Sequence, residues 1–499
     1  MINGLKILWL MLSPAQRRSS AVLLVFMLIG MGLEMLGIGL IIPILTVMTK
    51  GDLLSDYPML LPWLELLGNP SNSDLIVFVM LALVGVYVVK VLFMTFLVWF
   101  QARFISWVRS DLSLRLFTGY LRQPYTFHLQ RNSAELISNA TIQTDSATSA
   151  TKGYLSIATE SFVLFGIMSL LLVVDPLGTL MVVSIFGLAS WGFYRFTRVR
   201  VSFWGEKFQN HEKLRLQYLR EGLGASKNVK LLGREKEFID QYQVHNLGAV
   251  QTSKKHSVLI ALPRFYLEII GVIGLVSIVL LMIAQDRPIE SLVPTLGIFC
   301  VSAFRIMPSA NRLLNSGQNV RFSSAAYENL NREFSYLSEV GITKEYPSLP
   351  FKKALVLENI SFCYPPTEIM VLNQISLSIE QGKSVGFIGS TGAGKSTLID
   401  IILGLLVPTS GFVKVDGEDI QNNPRGWQDH IGYVPQSIFL TDASIRKNIA
   451  FGLSDYQIDD TAVWNSLCSS QLKQFVENLP EGIETQIGEG GIRLSGGQR

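Results

Sequence analysis

The chain has 499 residues, of which 49% are hydrophobic and only 16% charged; its mean hydropathy is +0.35, whereas average soluble domains carry roughly 25% charged residues. That balance over so long a chain argues against a soluble enzyme and for a membrane protein of two or three domains. The three cysteines, Cys300, Cys363 and Cys468, lie far apart, so neither a disulfide framework nor a metal-binding spacing is present.

Crossing the hydrocarbon core takes about 20 apolar residues in a helix. Six runs qualify, near residues 20–48, 75–100, 155–174, 177–196, 257–284 and 290–311. The first is a span and not a secretory signal, because it lacks a cleavage pattern and more spans follow. Asp175-Pro176 joins the third and fourth runs as a helical hairpin. Between spans two and three, residues 101–154 carry six Arg/Lys, and residues 195–256 carry thirteen. The opposite loops hold only Lys50 and Arg287. Basic loops stay in the cytoplasm, so both long loops, the N-terminus with Arg17 and Arg18, and everything after residue 311 are expected there. The basic loops lack aromatic interleaving and alternate with spans, which argues against nucleic acid as a partner. Their heptad-like stretches, such as Glu212 to Asp240, suggest helices that continue beyond the membrane. On the outer side, Leu60, Leu61, Trp63, Leu64, Leu66 and Leu67 suit either a surface-lying amphipathic helix or a loop packed on the span tips.

After about residue 340 the composition changes. Lys344 to Lys353, with Pro347 and Pro350, reads as a linker. Three β-rich runs follow: Leu355–Ser361, Val371–Ile379 and a buried strand at Ser384–Ile388. Next comes GSTGAGKST, comprising Gly389, Ser390, Thr391, Gly392, Ala393, Gly394, Lys395, Ser396 and Thr397. It stands between a strand and a helix, the context in which G-x-x-x-x-G-K-[ST] cradles phosphates. Glycines let successive N–H groups face one anion, and the helix N-terminus adds positive potential. Lys395 is placed to reach the β- and γ-phosphates and the Ser396 hydroxyl to ligate Mg²⁺. Tyr364, ahead of a Pro-Pro turn, offers a ring to stack on adenine or to fill the core. Gln436 ends the run IGYVPQ, read as a strand, and LSGGQR closes the chain with Ser495, Gly496, Gly497 and Gln498.

Aromatic, P-loop, glutamine and LSGGQ in this order resemble the ATP-binding cassette (ABC) family, and six spans fused ahead of them resemble its exporter half-transporters. The resemblance covers nearly the whole chain. It implies a multi-domain fold: an all-α polytopic membrane domain over residues 1–340, then an α/β P-loop NTPase cassette over 341–499 without its C-terminal part. It implies a homodimer or close heterodimer in which each ATP lies between one chain's P-loop and the signature serine and glycines of the other. It also implies that Gln436 contacts Mg²⁺, and that short coupling helices lie near Arg122–Glu135 and Gly222–Gly233. The family pattern continues with an Asp-Glu pair and a switch histidine, which these 499 residues do not contain, so no catalytic residue is named and no hydrolysis is expected of this chain alone. The expected function is ATP-driven export or flipping; a drug exporter or a non-transporting ABC channel or regulator shares the architecture.

Ionisable residues within spans usually face a bundle interior or a wet cavity. Lys90, Arg264 and Arg305 are three such cations. Lys90 and Arg305 each stand about 15 residues from the outer end of their span, roughly 22 Å deep at 1.5 Å per residue. Cations at that depth suit an anionic headgroup. The runs ALPRFYLE and EMLGIGLIIPIL resemble flippases of lipid-linked oligosaccharides in the bacterial inner membrane, which implies a phosphate-bearing glycolipid as cargo. The structural alternative pairs Arg264 with Glu268 one turn on, lets Lys90 snorkel and joins Arg305 to Glu34 or Glu160.

Overall fold

The computed structural model describes residues 2–40, 72–284, 289–337, 347–365 and 367–499. The outer leucine-rich segment lies outside the described residues. The chain divides into two units, Met1–Thr343 and Lys344–Arg499.

The first unit is helical throughout the described residues. Helix α1 (Ile2–Met11) precedes α2 (Pro14–Gly39), which begins at a capping box: Ser13 accepts from the Gln16 N–H while the Gln16 side chain accepts from the Ser13 N–H. That exchange satisfies two of the donors a helix start leaves open. Next come α3 (Asn72–Arg122), α4 (Tyr125–Gln130) and α5 (Ser133–Ser138), then a π-helical turn at Asn139–Gln143 and α6 (Thr144–Val174). Asp175 breaks the chain in an extended conformation and Pro176 opens α7 (Pro176–Gly224), since proline suits a first helical position and no interior one. Helices α8 (Ser226–Leu232), α9 (Glu235–Ala284), α10 (Ile289–Phe322) and α11 (Ser324–Leu337) complete the unit.

Five helices among the described residues are long and apolar enough to cross a membrane, and α10 carries the sixth expected run. The helices run well past the apolar segments that suggested them, most clearly in α3, α7 and α9. Residues such as Leu81, Val84, Val88, Leu92 and Val98 on α3 are more than half exposed, an apolar surface too extensive for water and suited to lipid. Polar contacts and small residues must then hold the bundle, because lipid tails are as apolar as leucine. Gly166 shows the second device: a Cβ there would meet Met31 Cγ of α2 at 2.8 Å. Short helices α4 and α8 fall within the two segments expected to carry coupling helices.

The second unit contains an antiparallel sheet in the order β2-β1-β3-β4, built from β1 (Ala354–Cys363), β2 (Met370–Glu380), β3 (Ser410–Val415) and β4 (Glu418–Asp419). Asp416-Gly417 closes the β3–β4 hairpin with positive φ at both residues, the geometry that a two-residue loop of this sequence favours. The Asp416 carboxylate accepts from the N–H groups of Lys352, Lys353 and Ala354 at 2.6, 2.8 and 3.0 Å. Desolvation pushes this carboxyl up, but the three donors outweigh it and hold it below the usual range. Leu357, Ile360, Val413 and Val415 pack with Leu398, Ile401 and Trp427 beside the sheet. Ile445, Val463, Leu467, Val476 and Ile487 form a separate helical core, drawn from the short helices Ile445–Ile449, Asp460–Ser469 and Lys473–Glu477 and adjoining loops.

Two expected strands are absent. Ser384–Ile388 and the run ending at Gln436 are unpaired, and Ile388 and Val434 are 98% and 88% exposed. The reason is physical. A strand needs a neighbour for its backbone N–H and C=O groups, and neither run pairs with β2 or β4, the edges of the sheet.

Candidate functional site

The phosphate-loop geometry begins with two glycines. Gly392 and Gly394 both have φ of +85°, in the left-handed region where a side chain is strained. A Cβ on Gly394 would also press on Leu372 at 2.8 Å and the Val371 carbonyl at 3.0 Å. Gly394 caps α12 (Lys395–Ile402), so the loop delivers its N–H groups to a helix start. Lys395 folds back over the loop, its Nζ donating to the Gly389 and Ser390 carbonyls at 2.7 Å each. These are neutral acceptors, weaker than a phosphate oxygen would be. Space beside Gly392 is open and Ser396 is exposed. The loop therefore fits a phosphate chain.

Tyr364 is half-buried, packs edge-on against Phe362 at 4.9 Å, and shares a hydrogen bond of 3.0 Å with Thr397. Its ring thus stands beside the loop, tethered through a residue of the motif. Gln436 is exposed. In the signature, the Ser495 N–H donates to the Gln498 side chain at 2.8 Å and the Gln498 N–H to the Ser495 carbonyl at 3.0 Å. Leu494 packs on the helical core, while Ser495, Gly496 and Gly497 face outward.

Within the membrane unit, the three cations separate into two groups. Lys90 Nζ lies 3.1 Å from Glu34 Oε1. Arg305 grips the same carboxylate with two nitrogens, Nε at 2.7 Å from Oε1 and Nη2 at 3.2 Å from Oε2. Lys90 also lies over the Tyr87 ring at 4.6 Å. Glu34 is almost wholly buried, its side chain 3% exposed. Lys90, Arg305 and Glu34 line one cavity of about 420 Å³ with Val91, Met94, Thr95 and Val98. The cluster's charges leave one net positive charge. Arg264 does not line this cavity; it pairs with Glu268 at 3.3 Å, both side chains exposed. A further pair joins Arg312, just past the sixth run, to Glu160 at 2.5 Å; the sequence alone does not single out Arg312. Glu34 was the informative signal: an acid within a span requires a partner.

The comparisons with known proteins follow this division of the chain. The family model for the ABC transporter transmembrane region matches residues 21–299, and the ABC transporter model matches residues 372–499. An ATP-dependent lipid A-core flippase of Nitrosococcus oceani is 26% identical over 407 residues, covering 79% of this chain and 67% of the relative. A probable multidrug resistance ABC transporter ATP-binding/permease protein of Bacillus subtilis is 34% identical over 180 residues, 35% of this chain and 30% of the relative. The solved structure of a bacterial Atm1-family ABC exporter with ATP bound superposes with a TM-score of 0.74 at 20% identity, over 97% of this chain and 82% of that one. This last likeness speaks for the fold. Together with the fused membrane helices and phosphate loop, the family matches show that the chain belongs to the ABC transporters, with the half-transporter architecture of an integral membrane exporter.

Proposed function

We propose that this exporter flips a phosphate-bearing, lipid-linked glycan across a bacterial inner membrane, working as a dimer with its cassettes in the cytoplasm. The single observation that carries the cargo assignment is the Lys90–Glu34–Arg305 cluster at a cavity wall, with Glu34 buried and both cations half-buried. Glu34 offsets one cation and orients both. One positive charge is left over, and Lys90 and Arg305 retain donors beyond those spent on Glu34. A phosphate approaching from the cavity would meet donors already held in place, which reduces the ordering cost of binding. Arg264, paired on its own helix, is assigned a lesser part in admitting the headgroup.

Mg-ATP supplies the energy for the conformational change. Lys395 and the loop amides would hold its phosphates, Ser396 and Gln436 its metal, and Tyr364 its base. The exposed Ser495, Gly496 and Gly497 would cover the ATP bound to the second copy.

The test is flipping of a fluorescent lipid-linked oligosaccharide in proteoliposomes by the protein carrying Lys90→Gln or Arg305→Gln. Strongly slowed flipping is expected in both. Normal flipping in both would remove the cluster from cargo binding, and ATPase stimulation by drugs without response to the glycolipid would favour a multidrug exporter.

A further inference from the structure

Two of the chain's five histidines meet across α7 and α9, in the helical extensions beyond the apolar spans. His211 and His245 lie 34 positions apart in sequence, and their Nδ1 atoms face each other at 3.2 Å. Both residues are half-buried, so a small ion can reach them. Packing holds both rings. His245 stacks on Tyr218 with centroids 5.4 Å apart and planes 13° from parallel. His211 presses against α9 at Gly248, where a Cβ would overlap the imidazole. Glycine at 248 therefore makes the room that the ring occupies.

The spacing has a chemical meaning. Two nitrogens bound to one tetrahedral ion, each about 2.0–2.1 Å from it, stand roughly 3.3 Å apart. An N–H···N hydrogen bond also fits the observed 3.2 Å. The proton in such a bond can move to the outer Nε2 of its own ring, which leaves both Nδ1 lone pairs to a metal. Metal binding needs neutral imidazoles. Desolvation, His245 and Lys207 lower the His211 pKa, which favours that form. Lys207 repels a cation, but it is exposed, where solvent and salt screen its charge. The adjoining charges cancel: Arg215 Nη2 lies 2.7 Å from Glu212 Oε2. Among the described residues no third histidine, cysteine or carboxylate joins the pair. Water then fills the remaining positions, and the affinity falls short of a four-ligand structural site. Imidazole suits zinc, copper and nickel, whereas Mg²⁺ takes oxygen ligands. We propose that His211 and His245 form a two-histidine site for a divalent transition-metal ion of the zinc class, separate from the Mg-ATP site. The ion joins α7 to α9, the two helices that α8 connects.

The experiment is titration of the tag-free full chain in detergent with Zn²⁺ against a zinc-sensitive dye, in the presence of excess Mg²⁺. One ion per chain is expected. His211→Ala and His245→Ala should each remove it. Gly248→Ala keeps both histidines but displaces one ring, and should weaken binding about tenfold, as disturbing the support of a metal ligand does. Each variant is also its own control for folding. Zn²⁺ should raise the parent's unfolding temperature above its value in EDTA, because a ligand of the folded state stabilises it, and should leave that of His211→Ala and His245→Ala unchanged. With Cu²⁺ as probe, electron paramagnetic resonance should show coupling to two imidazole nitrogens in the parent and to no more than one in each histidine variant. Absence of zinc binding by the parent, binding that survives in both histidine variants, or a copper spectrum with fewer than two coupled nitrogens in the parent would each overturn the proposal and leave the pair a hydrogen bond between helices.

Discussion

Lys395 and Lys90 show two ways in which one side chain can be prepared for a phosphate. Lys395 opens α12 at the end of the phosphate loop and is held by two neutral carbonyls. Lys90 sits in a membrane-spanning helix against a carboxylate that also holds Arg305. The first is a point charge held by neutral carbonyls, which are weaker acceptors than an anion. The second is part of a neutralising cluster, because an unpaired cation in the hydrocarbon region is too costly to keep. A binding lysine in water can be left loosely held, whereas one in the membrane must be compensated first and can bind only with what remains.

The largest expected effect lies on the membrane side of that comparison. Glu34→Ala leaves Lys90 and Arg305 without their carboxylate, and removing one partner of a buried ion pair typically costs about 3–5 kcal/mol. A large drop in thermal unfolding temperature in detergent is expected. Restoring stability by adding Lys90→Met and Arg305→Met would show that the penalty arises from uncompensated charge. If Glu34→Ala alone is as stable as the parent, the cluster does not hold the bundle together.

On the cassette side, Lys395→Ala should weaken Mg-ATP binding by roughly 1.5–3 kcal/mol, the range for a hydrogen bond to a charged group. That corresponds to about a ten- to hundredfold loss of affinity, measurable by fluorescent nucleotide titration. Membrane insertion should be unaffected. Unchanged affinity would separate this lysine from the phosphates.

How far each region could be read from sequence follows from the same contrast. The phosphate loop is nine consecutive residues, and its chemistry depends on local backbone geometry at Gly392 and Gly394, so it was legible at once. The charge cluster joins residues 56 and 271 positions apart; depth along the helices suggested that Lys90 and Arg305 lie level, but not that one acid would bind both. Hydropathy located the spans, yet it underestimated their helices, because charged helical extensions satisfy their backbone as well as apolar ones do. The runs at Ser384–Ile388 and before Gln436 read as strands from β-branched and apolar composition. Composition cannot supply the neighbouring strand that pairing requires.

A smaller effect is expected at Asp416. Its carboxyl is held below the usual range by three backbone donors against the opposing cost of desolvation. A carboxyl depressed by folding contributes stability above its unfolded pKa, and the contribution fades as pH falls through the lower folded value. Asp416→Asn should therefore lower the unfolding temperature of the cassette transition at neutral pH, and the gap between variant and parent should close in acid. A gap that persists unchanged to the lowest accessible pH would assign the effect to the hairpin turn and not to the charge.

The smallest effect should come from Arg264→Gln, and it tests how local the membrane cluster is. Arg264 is a cation within a predicted span, as Lys90 and Arg305 are, and by residue type the three are equivalent candidates. Their surroundings differ. Arg264 meets Glu268 one helical turn away with both side chains exposed, and pairs with this spacing contribute about 0.2–0.5 kcal/mol in isolated helices. It does not line the cavity that Lys90 and Arg305 share. Its replacement should leave thermal stability nearly unchanged and slow glycolipid flipping far less than Lys90→Gln or Arg305→Gln. Flipping assays on the three single variants, measured side by side, decide the matter. A loss in Arg264→Gln equal to the other two would place Arg264 on the cargo's path and make the headgroup site a ring of three cations, extended beyond the Glu34 cluster.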